Sequence, residues 1–425
     1  MLRYSTLKDM RAGVLSLPDF LAQIESKFTE REPDVLACLS EEDRFQRLHE
    51  DAETLALSYP DPNRRPALFG ALVGVKDIFH VEGFTTHAGS RLPSEILQGK
   101  EAESVTRLKN AGALILGKTV TTEFAYFTPG PTRNPHHLEH TPGGSSSGSA
   151  AAVAAGFCHI ALGTQTIGSV IRPAAFCDVV GFKPTYERIS REGVIPLSPT
   201  FDHIGFFTTD IVAAKQAANV LIRDWKLDSP TQKPILGIPE GPYLACASDY
   251  ALACFNDLCQ SLTDAGYELR HIRVMDDFQE IRNRHDAIMA HDVSQVHKNW
   301  FAKYETLYSA KFSDLIKRGR SVSNLQSLLF ARDALRTSIT QAMEENQIDI
   351  WVCPPAVGPA PKGLDSTGDP VMCLPWTQIG FPAVNIPTTK NEAGLPMGLQ
   401  LVGKWDADES LLAWAEDIEK VVRKI

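Results

Sequence analysis

Three short stretches carry the residue types that acyl or phosphoryl chemistry needs. Gly74-Val75-Lys76-Asp77 closes an apolar run, and Gly143-Gly144-Ser145-Ser146-Ser147-Gly148-Ser149 opens directly into alanines. The third, Gly163-Thr164-Gln165-Thr166-Ile167-Gly168-Ser169-Val170-Ile171-Arg172-Pro173-Ala174-Ala175, places another serine after a tight turn. Taken singly, each has a plain structural reading. A lysine after a strand is ordinarily solvated. A glycine-serine run can cradle phosphate, because N–H groups at a helix N-terminus bind anions. This run lacks the Gly-Lys-Ser/Thr ending of a P-loop and the spacing of a dinucleotide fingerprint, which disfavours that use.

Other clusters offer less. His136-His137-Leu138-Glu139-His140 looks metal-like, but it is flanked by Asn134-Pro135 and Thr141-Pro142, and its order is not that of a helical zinc motif, so no metal site is expected. His285, His291 and His297 recur every six residues, which spreads them around a helix, and they read as surface or packing residues. Asp202, before the Ile204-Gly205 turn, reads as a loop anchor. The eight cysteines are scattered with no C-x-x-C pair, as expected of reduced, buried thiols.

The elements that must position these stretches follow from hydrophobic periodicity. Leu17 to about Leu57 reads as helix in two pieces broken at Pro33, and Leu68 to Phe79 as a buried strand. A helix from about Glu101 precedes a strand over Gly112 to Val120. The Gly/Ser run feeds an alanine helix that Gly156 terminates. Strands are expected at His159 to Thr166, Val179 to Lys183 and Leu236 to Ile238, with a helix from about Asp210 to Arg223. Asp249 to Gln347 reads as mostly helical, and Ile348 to Val402 as rich in strand. Asp408 can cap a closing helix whose Leu411, Leu412, Ala415, Ile418 and Val422 share one face. Alternating strands and helices argue for an α/β sheet covered on both sides.

With 425 residues, 43% hydrophobic and 22% charged, the chain can bury a large core and is not disordered. Its 42 basic against 52 acidic residues give a net charge of −10, which offers no basic face to nucleic acid or an anionic membrane. Charged residues interrupt the first thirty positions, which excludes a secretory h-region, and Ala150 to Leu162 falls short of the roughly 20 apolar residues that span a bilayer. A cytoplasmic address is expected.

Together, the three stretches resemble the amidase signature family. The likeness continues through Val180-Gly181-Phe182-Lys183-Pro184-Thr185 and Ile204-Gly205, and resumes at Gly380-Phe381-Pro382-Ala383 and Gly394-Leu395-Pro396-Met397-Gly398-Leu399-Gln400. It implies an α/β amidase-signature fold with a large mixed β-sheet core sandwiched between α-helices. One domain would span 1–425: an N-terminal helical segment 1–66, a catalytic core 67–205, a variable helical region 249–347 and a completing section 348–425.

Residue by residue, the resemblance puts a Ser–cis-Ser–Lys triad on Ser169, Ser145 and Lys76, with a cis peptide between Gly144 and Ser145. The chemistry is consistent. A serine hydroxyl is a poor nucleophile near neutral pH and needs a base. Only His140 and His159 lie near the glycine-rich turns in sequence, so a lysine takes that role. Free lysine titrates near ~10.4, and Leu72-Val73-Gly74-Val75 supplies the apolar setting that would hold Lys76 neutral. Lys76 would take a proton from Ser145, Ser145 one from Ser169, and Ser169 would attack the substrate carbonyl. Backbone N–H groups of Thr166, Ile167, Gly168 and Ser169 would hold the oxyanion, each such donor being worth roughly 2.7 to 4 kcal/mol.

Ser146 and Ser147 compete for the bridging role; Ser146 is expected to be a supporting donor and Ser147 structural. Phe124, Tyr126 and Phe127 are candidates to line the acyl pocket, a core role being equally compatible. The chain also departs from the family pattern. Gln165 stands for an aspartate, Ile167 for a glycine, and the arginine falls one place later, at Arg172. Asp178 and Glu187 occupy usual glycine positions, and Phe206-Phe207-Thr208 lacks the arginine often found after Gly205. The altered turn weakens assignment to the glutamine-amidotransferase branch of the family.

The expected function is hydrolysis of a small carboxamide without a cofactor. The alternatives are the A-type glutaminase component of an aminoacyl-tRNA amidotransferase, a carbamate, urea-type or ester hydrolase, and a catalytically silent scaffold. No direct nucleic-acid or membrane partner is expected, and a homo-oligomer is left open.

Overall fold

In a computed structural model the chain is described at residues 2, 4–226, 228 and 230–423. Ten strands form one mixed sheet: β1 (Leu72–Lys76), β2 (Leu114–Thr119), β3 (Ile160–Gln165), β4 (Val180–Lys183), β5 (His203–Thr208), β6 (Leu236–Glu240), β7 (Leu269–Arg273), β8 (Ile350–Cys353), β9 (Ala383–Lys390) and β10 (Pro396–Gly403). Their order is β2-β1-β3-β5-β4-β9-β10-β8-β6-β7. β1 pairs parallel with β2 and β3, and the central strands from β3 through β5, β4, β9, β10 to β8 alternate antiparallel. β8, β6 and β7 are parallel again.

The strands near the signature stretches are buried at every residue, so the sheet is covered on both faces there. That burial is why β1 reads as a continuous apolar run with no alternation. The alanine helix Ser147–Ala155 packs on β1, β2, β3 and β5, and all nine of its residues are buried. Small side chains allow that close approach. Gly148 requires it most: a Cβ there would sit 2.1 Å from the Ala37 carbonyl oxygen.

Several elements differ from the sequence expectation for identifiable reasons. The first long helix runs through Pro33 to Val35, and the break comes at Leu36, which is left-handed (φ 54) and donates its N–H to Glu32. Proline only removes a bond within that last turn. β5 replaces the turn expected at Ile204-Gly205 and fills the sheet between β3 and β4. β7 lies inside the region read as helical; its sequence Leu-Arg-His-Ile-Arg suits a half-exposed edge strand and carries little apolar signal. Asp408 does not cap the closing helix Asp408–Val422. Its buried carboxylate instead accepts the Thr185 N–H at 2.8 Å and the Thr185 hydroxyl at 2.6 Å, bracing the loop after β4. Asp178 and Glu187, at the usual glycine positions, adopt left-handed φ of 59° and 67°.

Candidate active site

Lys76 is the last residue of β1 and fully buried, so its amine ends against Ser145 and β3 instead of in water. Nζ lies 2.7 Å from Ser145 Oγ and 2.8 Å from Thr164 Oγ1. Burial drives the Lys76 pKa well below the ordinary lysine value, and the Asp202 carboxylate opposes that shift. When neutral, Nζ retains a hydrogen to donate to Thr164 and turns its lone pair to the Ser145 hydroxyl. That is the protonation state a base requires.

Ser145 sits two residues before the alanine helix, after a cis Gly144–Ser145 peptide. Arg172 Nη2 donates to the Gly144 carbonyl at 2.7 Å, and the Thr122 N–H donates to the Ser145 carbonyl at 3.2 Å. Ser146 bonds the Thr164 backbone twice, donating from Oγ to its carbonyl at 3.2 Å and accepting its N–H at 3.3 Å. Ser147 donates to the Ser145 carbonyl at 3.4 Å. The Gly/Ser run is thus stitched to β3, and Ser145 faces Lys76.

Ser169 precedes the short helix Ile171–Phe176 and shares one cleft with Ser145, Thr166, Ile167, Tyr126, Phe127 and Arg172. Gln165 shapes the turn before Ser169: its Oε1 accepts the Val170 and Ile171 N–H groups at 2.8 and 2.9 Å, and its Nε2 donates to Thr377 Oγ1 at 2.9 Å. An aspartate has no N–H to offer Thr377. Among the described residues, the N–H groups of Ile167, Gly168 and Ser169 have no acceptor in the protein. Gly168 is required by contact, since a Cβ there would lie 2.9 Å from Pro370 Cβ and 3.1 Å from Cys373 Cβ.

A buried lysine beside a serine, a second serine on the same cleft and a turn of unpaired N–H groups form one constellation. The family model described as Amidase matches residues 41–412. The chain belongs to the Amidase family. A relative from Koribacter versatilis, named as the A-type subunit of glutamyl-tRNA(Gln) amidotransferase, is 29% identical, covering 85% of this chain and 86% of its own. One of the same name from Geobacter sp. (strain M21) is 30% identical over 83% and 84%. A solved structure described as an amidase superposes with a TM-score of 0.89 at 27% identity, covering 99% of this chain and all of the other. Another, from a study of a vestigial protein complex and the origins of an s-triazine catabolic enzyme, gives 0.87 at 25% identity over 99% and 98%. The amidotransferase names run against the sequence expectation that the altered turn distances this chain from that branch.

Within this Amidase-family site, the three aromatic candidates separate. Tyr126 and Phe127 line the cleft. Phe124, left-handed at φ 45, turns away into a buried cluster with His297, Trp300, Tyr308 and Phe312. His297 therefore packs, as its sequence reading allowed. His285 does more: it is buried, stacked on Phe201 at 4.1 Å, and its Nε2 donates to the Thr166 carbonyl at 3.1 Å. Asp202 accepts the Thr166 hydroxyl at 2.5 Å and the Leu197 and Ser198 N–H groups at 2.9 and 3.0 Å, and burial raises its pKa to about 6. Asp77, beside Lys76, forms a buried ion pair with Lys118 at 2.7 Å. No local pattern in the sequence announces His285 or Thr377 at the site, because they reach it from separate elements.

His137 and His140 contact each other's rings at 4.4 Å, and Glu139 pairs with Lys362. Among the described residues no group of three or more His, Cys, Asp or Glu side chains is arranged to hold a metal ion. Also among them, no helix is long and apolar enough to cross a membrane.

Proposed function

We propose that the chain hydrolyses the C–N bond of a small carboxamide through an acyl-enzyme on Ser169, with Ser145 and Lys76 relaying the proton. The observation that carries this reading is the buried 2.7 Å contact between Lys76 Nζ and Ser145 Oγ on the cleft that also holds Ser169. Neutral Lys76 accepts the Ser145 proton, Ser145 accepts that of Ser169, and Ser169 Oγ bonds to the carbonyl carbon. The oxyanion takes up the Ile167, Gly168 and Ser169 N–H groups, which have no protein acceptor among the described residues. The Ser145 proton passes to the departing amine as the C–N bond breaks, and Lys76 returns its proton to Ser145. Water then attacks the acyl ester while giving a proton to Ser145 as Ser145 gives one to Lys76, and the proton comes back through Ser145 to Ser169 Oγ as the acid leaves.

Arg172 supports a substrate bearing a carboxylate. Its guanidinium lines the cleft, is almost fully buried, and leaves Nε and Nη1 without partners. Burial lowers its pKa to about 10, and no acidic side chain among the described residues forms an ion pair with it. An unpaired buried charge is costly, and an anionic ligand group offsets that cost. Glutamine and short ω-carboxamide acids fit this description.

The amidotransferase names of the curated relatives favour a narrower second reading: glutamine as the amide, with the released ammonia used by partner proteins in tRNA-dependent transamidation. One experiment tests both. Ammonia release is measured from glutamine, glutaramate and hexanamide for the native chain and for Ser169→Ala. Release by the native chain and loss in the variant support the acyl-enzyme; equal release by both refutes it. Turnover of glutamine alone supports the second reading, and turnover of glutaramate without glutamine removes it.

A further inference from the structure

The Ile167 and Gly168 N–H groups can hold an oxyanion only if their peptide planes are fixed before substrate arrives, because preorganisation is what makes such donors effective. A trans peptide is planar, with its C=O and N–H pointing in opposite directions. Whatever holds the Thr166 carbonyl therefore aims the Ile167 N–H, and whatever holds the Ile167 carbonyl aims the Gly168 N–H. Each carbonyl is held by one side chain from outside the glycine-rich stretches. His285 Nε2, on the helix Phe278–Val296, lies 3.1 Å from the Thr166 oxygen. Thr377 Oγ1, on the helix Leu374–Gln378, lies 2.6 Å from the Ile167 oxygen.

Both donors are themselves constrained. The His285 ring stacks on Phe201 with a 10° interplanar angle, and since its partner is a carbonyl, Nε2 must carry the proton. Among the described residues its Nδ1 has no partner, so no second hydrogen bond competes for the ring. Gln165 Nε2 donates to Thr377 Oγ1, and of the two carbonyls within reach of the hydroxyl proton, that of Ile167 at 2.6 Å lies closer than that of Cys373 at 3.1 Å. Arg284 Nε and the Ile281 carbonyl bond the two ends of the Gln378 amide, each at 2.9 Å, and tie the two helices together.

We propose that His285 and Thr377 are positioning residues that orient the Ile167 and Gly168 N–H groups toward the reacting carbonyl oxygen, a proposal that rests on Ser169 being the acylated residue. It gives the helical region after Asp249 a part in turnover through the turn it holds.

Two matched pairs of substitutions test it, with glutamine and glutaramate as substrates. Thr377→Val keeps the side-chain shape and deletes the hydroxyl, whereas Thr377→Ser keeps the hydroxyl. His285→Leu removes the donor, and His285→Gln restores an N–H. The Val and Leu variants should lose on the order of 10- to 100-fold in kcat, with KM within about twofold of native, because a misaimed donor weakens the transition state alone. Ser and Gln should recover most of that loss. Native kcat in Thr377→Val, a loss carried by KM, or Thr377→Ser no better than Thr377→Val would each overturn the proposal. If Ser169→Ala retains native activity, the acyl-enzyme reading fails first and this one with it. If Ser169→Ala is inactive while Thr377→Val is unaffected, only the positioning proposal falls.

Discussion

Replacing Lys76 with methionine isolates what a buried base costs the fold and what it gives the chemistry. The side chain is fully buried and, among the described residues, reaches only the Ser145 and Thr164 hydroxyls, with no carboxylate in contact. Its folded pKa is therefore driven well below the ordinary 10.5. The sign follows from proton counting. Between the lowered value and 10.5 the unfolded chain holds a proton at Lys76 that the folded chain does not, so stability rises with pH across that window. Each pH unit inside it is worth about 1.4 kcal/mol for one proton. Methionine does not titrate, so the native-minus-variant difference isolates Lys76. Paired urea unfolding at pH values inside that window should show that difference moving in favour of the native chain as pH rises, by about 1.4 kcal/mol for each pH unit. Amide hydrolysis should vanish in the variant at every pH. A difference independent of pH would mean that Lys76 titrates alike in both states, and the neutral-base argument would fail. Retained turnover in Lys76→Met would refute the relay directly.

Three further outcomes follow from the same geometry. Asp202, raised by burial to about 6 from 3.8, contributes stability that is present below its unfolded pKa and lost as pH rises through about 6, a swing of about 3 kcal/mol that Asp202→Asn should abolish in unfolding measured between about pH 3.5 and 7. Gly168→Ala forces a Cβ to within 2.9 Å of Pro370 Cβ, so the turn must shift; its kcat should fall at least about tenfold, by roughly the weakening expected of a displaced donor, while melting changes little. Lys118→Met strands the Asp77 carboxylate in the interior and should destabilise the fold by about 3 to 5 kcal/mol, whereas Lys118→Met with Asp77→Asn should recover much of that loss in the same unfolding assay.

The legible part of this protein was local. The Gly/Ser run, the alanine helix and the Gly163 to Ala175 turn declare themselves because each needs glycine, serine or small residues at fixed offsets along one stretch of backbone. A buried strand such as β1 is equally plain, since burial on both faces leaves a continuous apolar run up to Lys76. Features set by distant contacts were not legible. Asp408 looks like a helix cap in sequence and instead braces Thr185, 223 residues away. Phe124 sits beside Tyr126 and Phe127 in the chain, yet a left-handed backbone turns it into a different cluster.

The sequence by itself determined the family, the mixed α/β class and the candidate residues Lys76, Ser145 and Ser169, because residue type and short-range spacing encode them. Only the tertiary structure decided that Lys76 ends in a buried contact with Ser145, and that Arg172 stands buried on the cleft with no ion-paired acid among the described residues. It also decided that His285 and Thr377 hold the carbonyls of the turn before Ser169. Desolvation and peptide orientation depend on what packs from elsewhere in the chain, and no local pattern records that.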